Sequence, residues 1–525
     1  MRKSVSIMSL KNCCKQPAWT AALVAFLSGT ATHAFALIHL LHNYDNILQQ
    51  PRGYGAGITS GRWLLEILGD FNDSFVELNY NLPTMNGLGF LLLIALSTAL
   101  IVDFLKIRNP RSLVLTGFLM ATFPTVCATL VFRYTAPYYG LSLLLSVLAA
   151  WVIGRWKFGF LLSALCLACS MGIYQAYPPF TISLLVLALL RDSLEEDAKL
   201  VPLIRRGIAY CVSLALGVAL YFVFLKLSLA LYSGSGEVVL DSYQGISTMG
   251  QISLAQLPGL LKKAWLSAAF FPVIDYCGLA IVRPLKVLWL LLIGVILAEV
   301  ACIVIRKKTK PLLLAFCALM GLLFPLAVNF IVVMVPDGSI YTIMVYSFVL
   351  VGCAPLVLLE CMPKQEHAGS RWLARAMGLL LAGIILYNGY YANVNYTALY
   401  FANRQVENFV NGLVVQARLT EGYTPEKKWV FVGEADKFML YDMWYEAPYY
   451  GGFAGSTAQG LFNTTYSRDF WFTMYLGTGT TNASQEEQLL MQQDDRVRQM
   501  PCWPSQGSMQ VLDEYLVIKF QEPEL

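Results

Sequence analysis

About eleven apolar stretches, each long enough to cross a hydrocarbon core as a helix, occupy most of this chain before residue 395. They lie near 19–41, 87–105, 112–132, 138–154, 158–175, 178–191, 207–231, 285–305, 311–335, 339–360 and 374–393. A chain so patterned has too little polar surface to fold in water. Of its 525 residues 57% are hydrophobic and only 13% charged, against about 25% charged in a soluble domain. The expected class is an all-α polytopic membrane protein whose main solvent is lipid. A formal charge of +4 points to no nucleic-acid partner. The 12 cysteines lie mostly inside apolar runs (Cys127, Cys166, Cys169, Cys211), where Cys acts as a small hydrophobe rather than as half of a disulfide framework.

Orientation follows from the basic residues. Arg2, Lys3, Lys11 and Lys15 precede the first apolar run, which reads as a signal anchor that is retained. Alternate loops then carry Lys106/Arg108/Arg111, Arg155/Lys157, Arg191/Lys199/Arg205/Arg206, Arg306/Lys307/Lys308/Lys310 and Lys364/Arg371/Arg375. That places about twenty Lys and Arg on one side against about seven in the opposite short loops, and the richer side is cytoplasmic. The N-terminus is expected on the cytoplasmic side of the membrane and the C-terminal region on the opposite side.

Two outside loops are long, 42–86 and 232–284, and each contains an amphipathic piece, Gly61–Leu68 and Leu254–Phe271, suited to lying on the membrane surface. From Asn395 onward the composition turns polar. Tyr396–Leu419 reads as an amphipathic helix and Lys428–Gly433 as a buried strand ended by glycine. Gln485–Gln493 reads as a short helix, and Ser508–Leu512 and Glu514–Phe520 as strands paired around Asp513. The expected division is a transmembrane domain, 1–394, and a small extracytoplasmic α/β domain, 395–525.

Polar chemistry concentrates on the outside. Asp45 sits just past the first span, where a carboxylate meets both water and the edge of the low-dielectric membrane. Such a residue is placed to serve as a general base or metal ligand; the alternative is an ordinary solvated helix end. Gly53, Gly55, Gly57 and Gly61 allow the backbone to turn tightly and approach a ligand. Arg62 offers a planar donor fork for phosphate and Trp63 a face for a sugar; as a pair they also fit an interfacial anchor. Cations are scarce on this face, so Arg62, Arg133, Lys262 and Lys263 are the candidate phosphate ligands, or else contacts to anionic headgroups. Tyr44, Asn46, Trp63, Glu66, Asp70, Asp73, Tyr174, Gln175 and Tyr177 are the candidate substrate contacts. Asp275 and Asp337 are further outside acids. No P-loop, dinucleotide fingerprint, His-Glu-x-x-His or zinc-type cysteine pair occurs, so an activated nucleotide donor is not expected.

Four segments carry a resemblance. They are Asn43-Tyr44-Asp45-Asn46, Gly61-Arg62-Trp63-Leu64, Gly172-Ile173-Tyr174-Gln175-Ala176-Tyr177, and the tail from Met500-Pro501-Cys502-Trp503-Pro504 through Leu512–Lys519. Together they resemble the phage-type O-antigen glucosyltransferase family (Gtr type II). The resemblance implies a GT-C-type membrane glycosyltransferase of a bacterial inner membrane. Such an enzyme passes a hexose from a polyprenyl-phosphate donor to an acceptor glycan outside the membrane. It assigns the role of catalytic base or metal ligand to Asp45, with a divalent ion such as Mg or Mn as a possible cofactor. Members often show two adjacent acids; here Asn46 follows Asp45, which leaves a metal-free base mechanism open. The rival reading is a transporter or flippase of lipid-linked sugars, for which repeated halves and charge-interrupted spans are expected.

Overall fold

The structure, a computed structural model, describes residues 17–53, 57–232, 240, 253–274, 276–307, 310–336, 338–362, 368–435, 462 and 465–522. Gly55, Asp275 and Asp337, singled out above, lie outside them, as does most of the 232–284 loop before Ser253. The chain divides into two compact units: residues 1–40, 51–394 and 448–454 in the first, and 41–50, 395–447 and 455–525 in the second.

The first unit is helical. Among the described residues, six helices are long and apolar enough to cross a membrane: Pro83–Phe104, Pro110–Val131, Leu200–Tyr232, Arg283–Lys307, Pro311–Val328 and Arg371–Leu419. Shorter apolar helices include Ala136–Val152 and Gly159–Ile173. This is a membrane protein. Proline marks where many of these helices begin, at Pro83, Pro110, Pro124, Pro178 and Pro311, because a first-turn residue needs no N–H and proline presets its φ. Pro124 also forces Phe123 into an extended conformation (ψ 142°), which breaks the 110–131 span into two helices.

Glycine and hydroxyl residues bring the helices together. A Cβ on Gly117 would fall 2.7 Å from the Ala21 carbonyl oxygen, and one on Gly217 would fall 2.8 Å from Leu167. Ser142 and Ser170 each donate to the other's carbonyl at 2.8 Å, and Ser146 bonds Thr181 at 2.7 Å. Close approach of small residues and interhelical hydroxyl bonds replace the hydrophobic driving force that lipid removes.

Three expected spans differ in detail. The first helix runs Pro17–Thr32 and breaks at His33, whose buried Nε2 lies 2.9 Å from the Ala121 carbonyl oxygen; a short helix, Ala34–Ile38, follows. The 339–360 stretch is α-helical only from Val349 to Cys361. Before that, Thr342 donates to the Cys277 carbonyl and receives at its own carbonyl from Thr125, both at 2.7 Å, and these long-range bonds hold the chain in two 3₁₀ turns. The last span and the amphipathic helix after it are one continuous helix, Ala368–Leu419. The breaks expected at 155–157 and 174–179 fall where three helices, Ala136–Val152, Gly159–Ile173 and Pro178–Ser193, meet.

The second unit holds a three-stranded sheet ordered β1-β3-β2, with β1 Lys428–Val432, β2 Met509–Leu512 and β3 Tyr515–Lys519. β1 and β3 are parallel, with Val430 opposite Val517; β2 and β3 form an antiparallel hairpin. Asp513 makes the turn in the left-handed region (φ 54°), which Asp tolerates. Two helices, Gln485–Gln493 and Asp495–Gln499, cover the sheet through Met491, Val497 and Met500. Lys519 is fully buried and donates to the carbonyls of Arg498 and Met500 at 2.8 Å.

Ser484 and Glu487 form a reciprocal capping box on the first of these helices. Lys428 beside Glu487, with the Ser484 N–H next in effect, holds its carboxyl at about 2 against an ordinary 4.5. Because the folded-state value is the lower one, the stability Glu487 lends is complete above about pH 4.5 and is lost as pH falls toward about 2. Thermal unfolding followed across that window should show a shallower acid loss in Glu487→Gln than in the parent; identical acid limbs would remove Glu487 from the linkage.

Candidate functional site

The residues singled out by sequence fall into three places. The first is built around Arg62. The loop before it turns through Ile58–Ser60 and ends at Gly61, held at φ 71°, a conformation that favours glycine. Its backbone is pinned from below. Gln175 donates to the Ser60 carbonyl at 2.8 Å, and Tyr221 donates to the Gly61 carbonyl at 3.0 Å. Gln175 and Tyr221 also meet at 3.3 Å.

Arg62, half-buried, donates through Nη1 to the Tyr139 hydroxyl at 3.0 Å, and its guanidinium carbon lies 5.2 Å from the centre of the Tyr174 ring. Tyr139 and Tyr174 stack on each other, centroids 4.1 Å apart and nearly coplanar. Tyr177, buried, meets Tyr174 edge-on at 5.7 Å. The cation therefore sits on an aromatic platform that fixes the geometry of its guanidinium.

Trp63 begins the helix Trp63–Phe71 and is buried against Gly172 and Phe224. A Cβ on Gly172 would stand 2.5 Å from the indole, so glycine is what lets the Gly159–Ile173 helix meet this ring. Two of the four resembling segments, Gly61–Leu64 and Gly172–Tyr177, thus form one packed group. Glu66 lies one turn on, its Oε2 3.2 Å from where a Gly57 side chain would begin.

Asp70 and Asp73 face elsewhere. Asp70 accepts from the Tyr232 hydroxyl at 2.6 Å, and Asp73 pairs with Arg52 at 2.5 Å. Arg133 is almost fully buried in the first unit, and its carbonyl accepts from Asn86 at 3.2 Å. Among the described residues no three His, Cys, Asp or Glu side chains come together as a metal-holding group, and no step below is routed through a metal.

The second place is the helix Leu257–Ala269. Lys262 and Lys263 are exposed there and line an open groove of about 550 Å³ whose other walls are Gly259, Leu266, Ser267, Phe270 and Ile274. Two lysines thus line an otherwise mostly apolar groove.

The third place, in the second unit, holds Asp45. It is half-buried in the first turn of a short helix, Tyr44–Leu48. Asn43 caps that helix by accepting from the Asn46 N–H at 2.5 Å, and the buried Asn46 donates back to the Leu41 carbonyl at 3.0 Å. Asn46 is therefore spent on the fold of the turn.

Sequence reading passed over Tyr139 and Tyr221. Tyr139 stood in the Pro137-Tyr138-Tyr139 run, and Tyr221 was one of four hydroxyl residues, with Tyr210, Ser213 and Ser228, in the 207–231 span, a signal that polar groups inside a bundle have work to do.

A family model described as Glucosyl transferase GtrII matches residues 34–352, more than half of the chain. The chain belongs to this GtrII family. The matched stretch includes Asp45, the Arg62 group and the lysine-lined helix. No curated protein and no solved structure matches the chain. Membership makes it a glucosyl transferase, a glycosyltransferase that acts on a sugar donor and an acceptor, in agreement with the resemblance carried by the four segments.

Proposed function

We propose that this protein transfers glucose from a polyprenyl-phosphate donor to a cell-surface glycan such as O-antigen, on the extracytoplasmic face of a bacterial inner membrane. The observation that carries the reading is the GtrII match over a stretch that holds both a half-buried carboxylate, Asp45, and a cation fixed on stacked tyrosines, Arg62. The wider architecture belongs to the same reading. It comprises about eleven spans in a GT-C arrangement, a cytoplasmic N-terminus, a transmembrane domain over 1–394 and an extracytoplasmic domain over 395–525.

Asp45 accepts the proton of the acceptor hydroxyl as that oxygen attacks the anomeric carbon. The bond from the anomeric carbon to the phosphate oxygen breaks, and polyprenyl phosphate leaves with the electron pair. Arg62 binds the donor phosphate and stabilises the charge that grows on it. Lys262 and Lys263 attract the donor's phosphate to a groove where Leu266, Phe270 and Ile274 suit the isoprenoid. Tyr174, Gln175, Tyr177 and Trp63 hold the Arg62 loop and its guanidinium in place, and Tyr44 adjoins the base.

Donor titrations test the Arg62 assignment. Arg62→Ala should raise the donor KM or lower kcat so that kcat/KM falls about 10–100-fold, the size expected for one charge-assisted bond of roughly 1.5–3 kcal/mol. Arg62→Lys should recover only part, since an ammonium cannot reproduce the fork. Unchanged donor kinetics in Arg62→Ala would take Arg62 out of the site.

A further inference from the structure

The short helix that carries Asp45 is held by residues more than 350 positions away in sequence. Asn403, on the long helix Ala368–Leu419, is almost fully buried. Its side chain makes two bonds to one residue's backbone: the His42 N–H donates to Oδ1 at 2.6 Å, and Nδ2 donates to the His42 carbonyl at 2.9 Å. A side-chain amide that satisfies both backbone groups of a single residue fixes that residue's peptide planes, as a neighbouring strand would.

The His42 ring is gripped as well. It lies edge-on to Trp471 and Tyr475, centroids 5.7 and 5.5 Å away, and is hydrogen-bonded to the Tyr475 hydroxyl. Trp471 and Tyr475 are one turn apart on the helix Thr465–Leu476. From His42 the constraint passes to Asp45 through two local bonds, the Asn43 cap and the Asn46 bond to the Leu41 carbonyl. Nothing in a five-residue helix would hold itself in place without such support.

We infer that Asn403, seconded by Tyr475, is a positioning residue that sets the place of the Asp45 carboxylate by clamping the backbone of His42. The inference rests on the assignment of Asp45 as the base. A catalytic group displaced by about 1 Å can lose about 100-fold in rate, so the clamp acts on kcat and leaves the binding of donor untouched.

The test uses the full-length protein in membranes, assayed with polyprenyl-phosphate glucose, together with hydrogen exchange at residues 41–50. Asn403→Ala should lower kcat about 10–100-fold with donor KM within about threefold of the parent, and exchange at 41–50 should quicken while exchange at Tyr515–Lys519 does not change. Tyr475→Phe, which removes one hydroxyl and keeps the packing, should show the same pattern more weakly, about 3–10-fold in kcat. It keeps the proposal testable should Asn403→Ala fail to fold. Faster exchange at 41–50 with normal kcat would overturn the inference, as would a fall in kcat without faster exchange. Asp45→Asn, run alongside, separates the two claims. If Asp45→Asn is fully active, the base assignment fails regardless of what Asn403 does; if it is inactive while the clamp variants are normal, only the clamp fails.

Discussion

Asp45→Asn should lose about 10²–10⁴-fold in kcat, the usual contribution of a positioned general base, while the protein inserts and accumulates as the parent does. The substitution keeps the size and plane of the side chain while it removes the charge, turns one acceptor oxygen into an amide donor and abolishes its capacity to take a proton. The neighbouring constraints do not depend on the Asp45 charge: the Asn43 cap, the Asn46 bond and the Asn403 clamp are made by other side chains. Folding should therefore survive and donor KM should change little. Full activity in Asp45→Asn would mean that another group accepts the proton.

Gly172→Ala should damage the Arg62 group while leaving every polar group intact. The added methyl would begin 2.5–2.8 Å from three atoms of the Trp63 indole, distances that packed carbon atoms do not tolerate. Trp63 cannot yield easily, because it is buried in a cluster with Ala149, Leu167, Ala168, Met171 and Tyr221. Overpacking of this kind costs about 1–3 kcal/mol. The strain lands on the residue next to Arg62, so the guanidinium should shift off Tyr174. Thermal stability of the detergent-solubilised protein should fall and donor kcat/KM should drop by at least the Arg62→Ala factor. A variant as stable and active as the parent would show that the Gly172–Trp63 contact does not set the site.

Much of this was readable from residues, and the failures have definite causes. β1, the Gln485–Gln493 helix and the hairpin at Asp513 follow from a short apolar run ended by glycine, a capping Ser-x-x-Glu and a turn residue, all short-range signals. Gly61, Arg62 and Trp63 stood out for the rarity of a cation and the abundance of glycine on one face, and they do pack with Gly172–Gln175. Hydropathy failed at 339–348, where the composition is apolar but Thr342 is tied to Cys277 and Thr125 across the unit. Hydropathy reports burial, and a buried stretch need not be helical. At 41–50 the fold was not legible, because the bonds that hold His42 come from Asn403 and Tyr475. No local pattern announces a partner so distant in sequence.

The central claim is transfer of a lipid-linked sugar. Its most direct test is the purified protein in liposomes with labelled polyprenyl-phosphate glucose and an O-antigen acceptor, read by label in the acceptor and by label crossing the bilayer. The account predicts labelled acceptor and release of polyprenyl phosphate from the parent, with both lost in Asp45→Asn. Movement of the labelled lipid across the bilayer with no labelled acceptor would contradict it and identify a transporter instead.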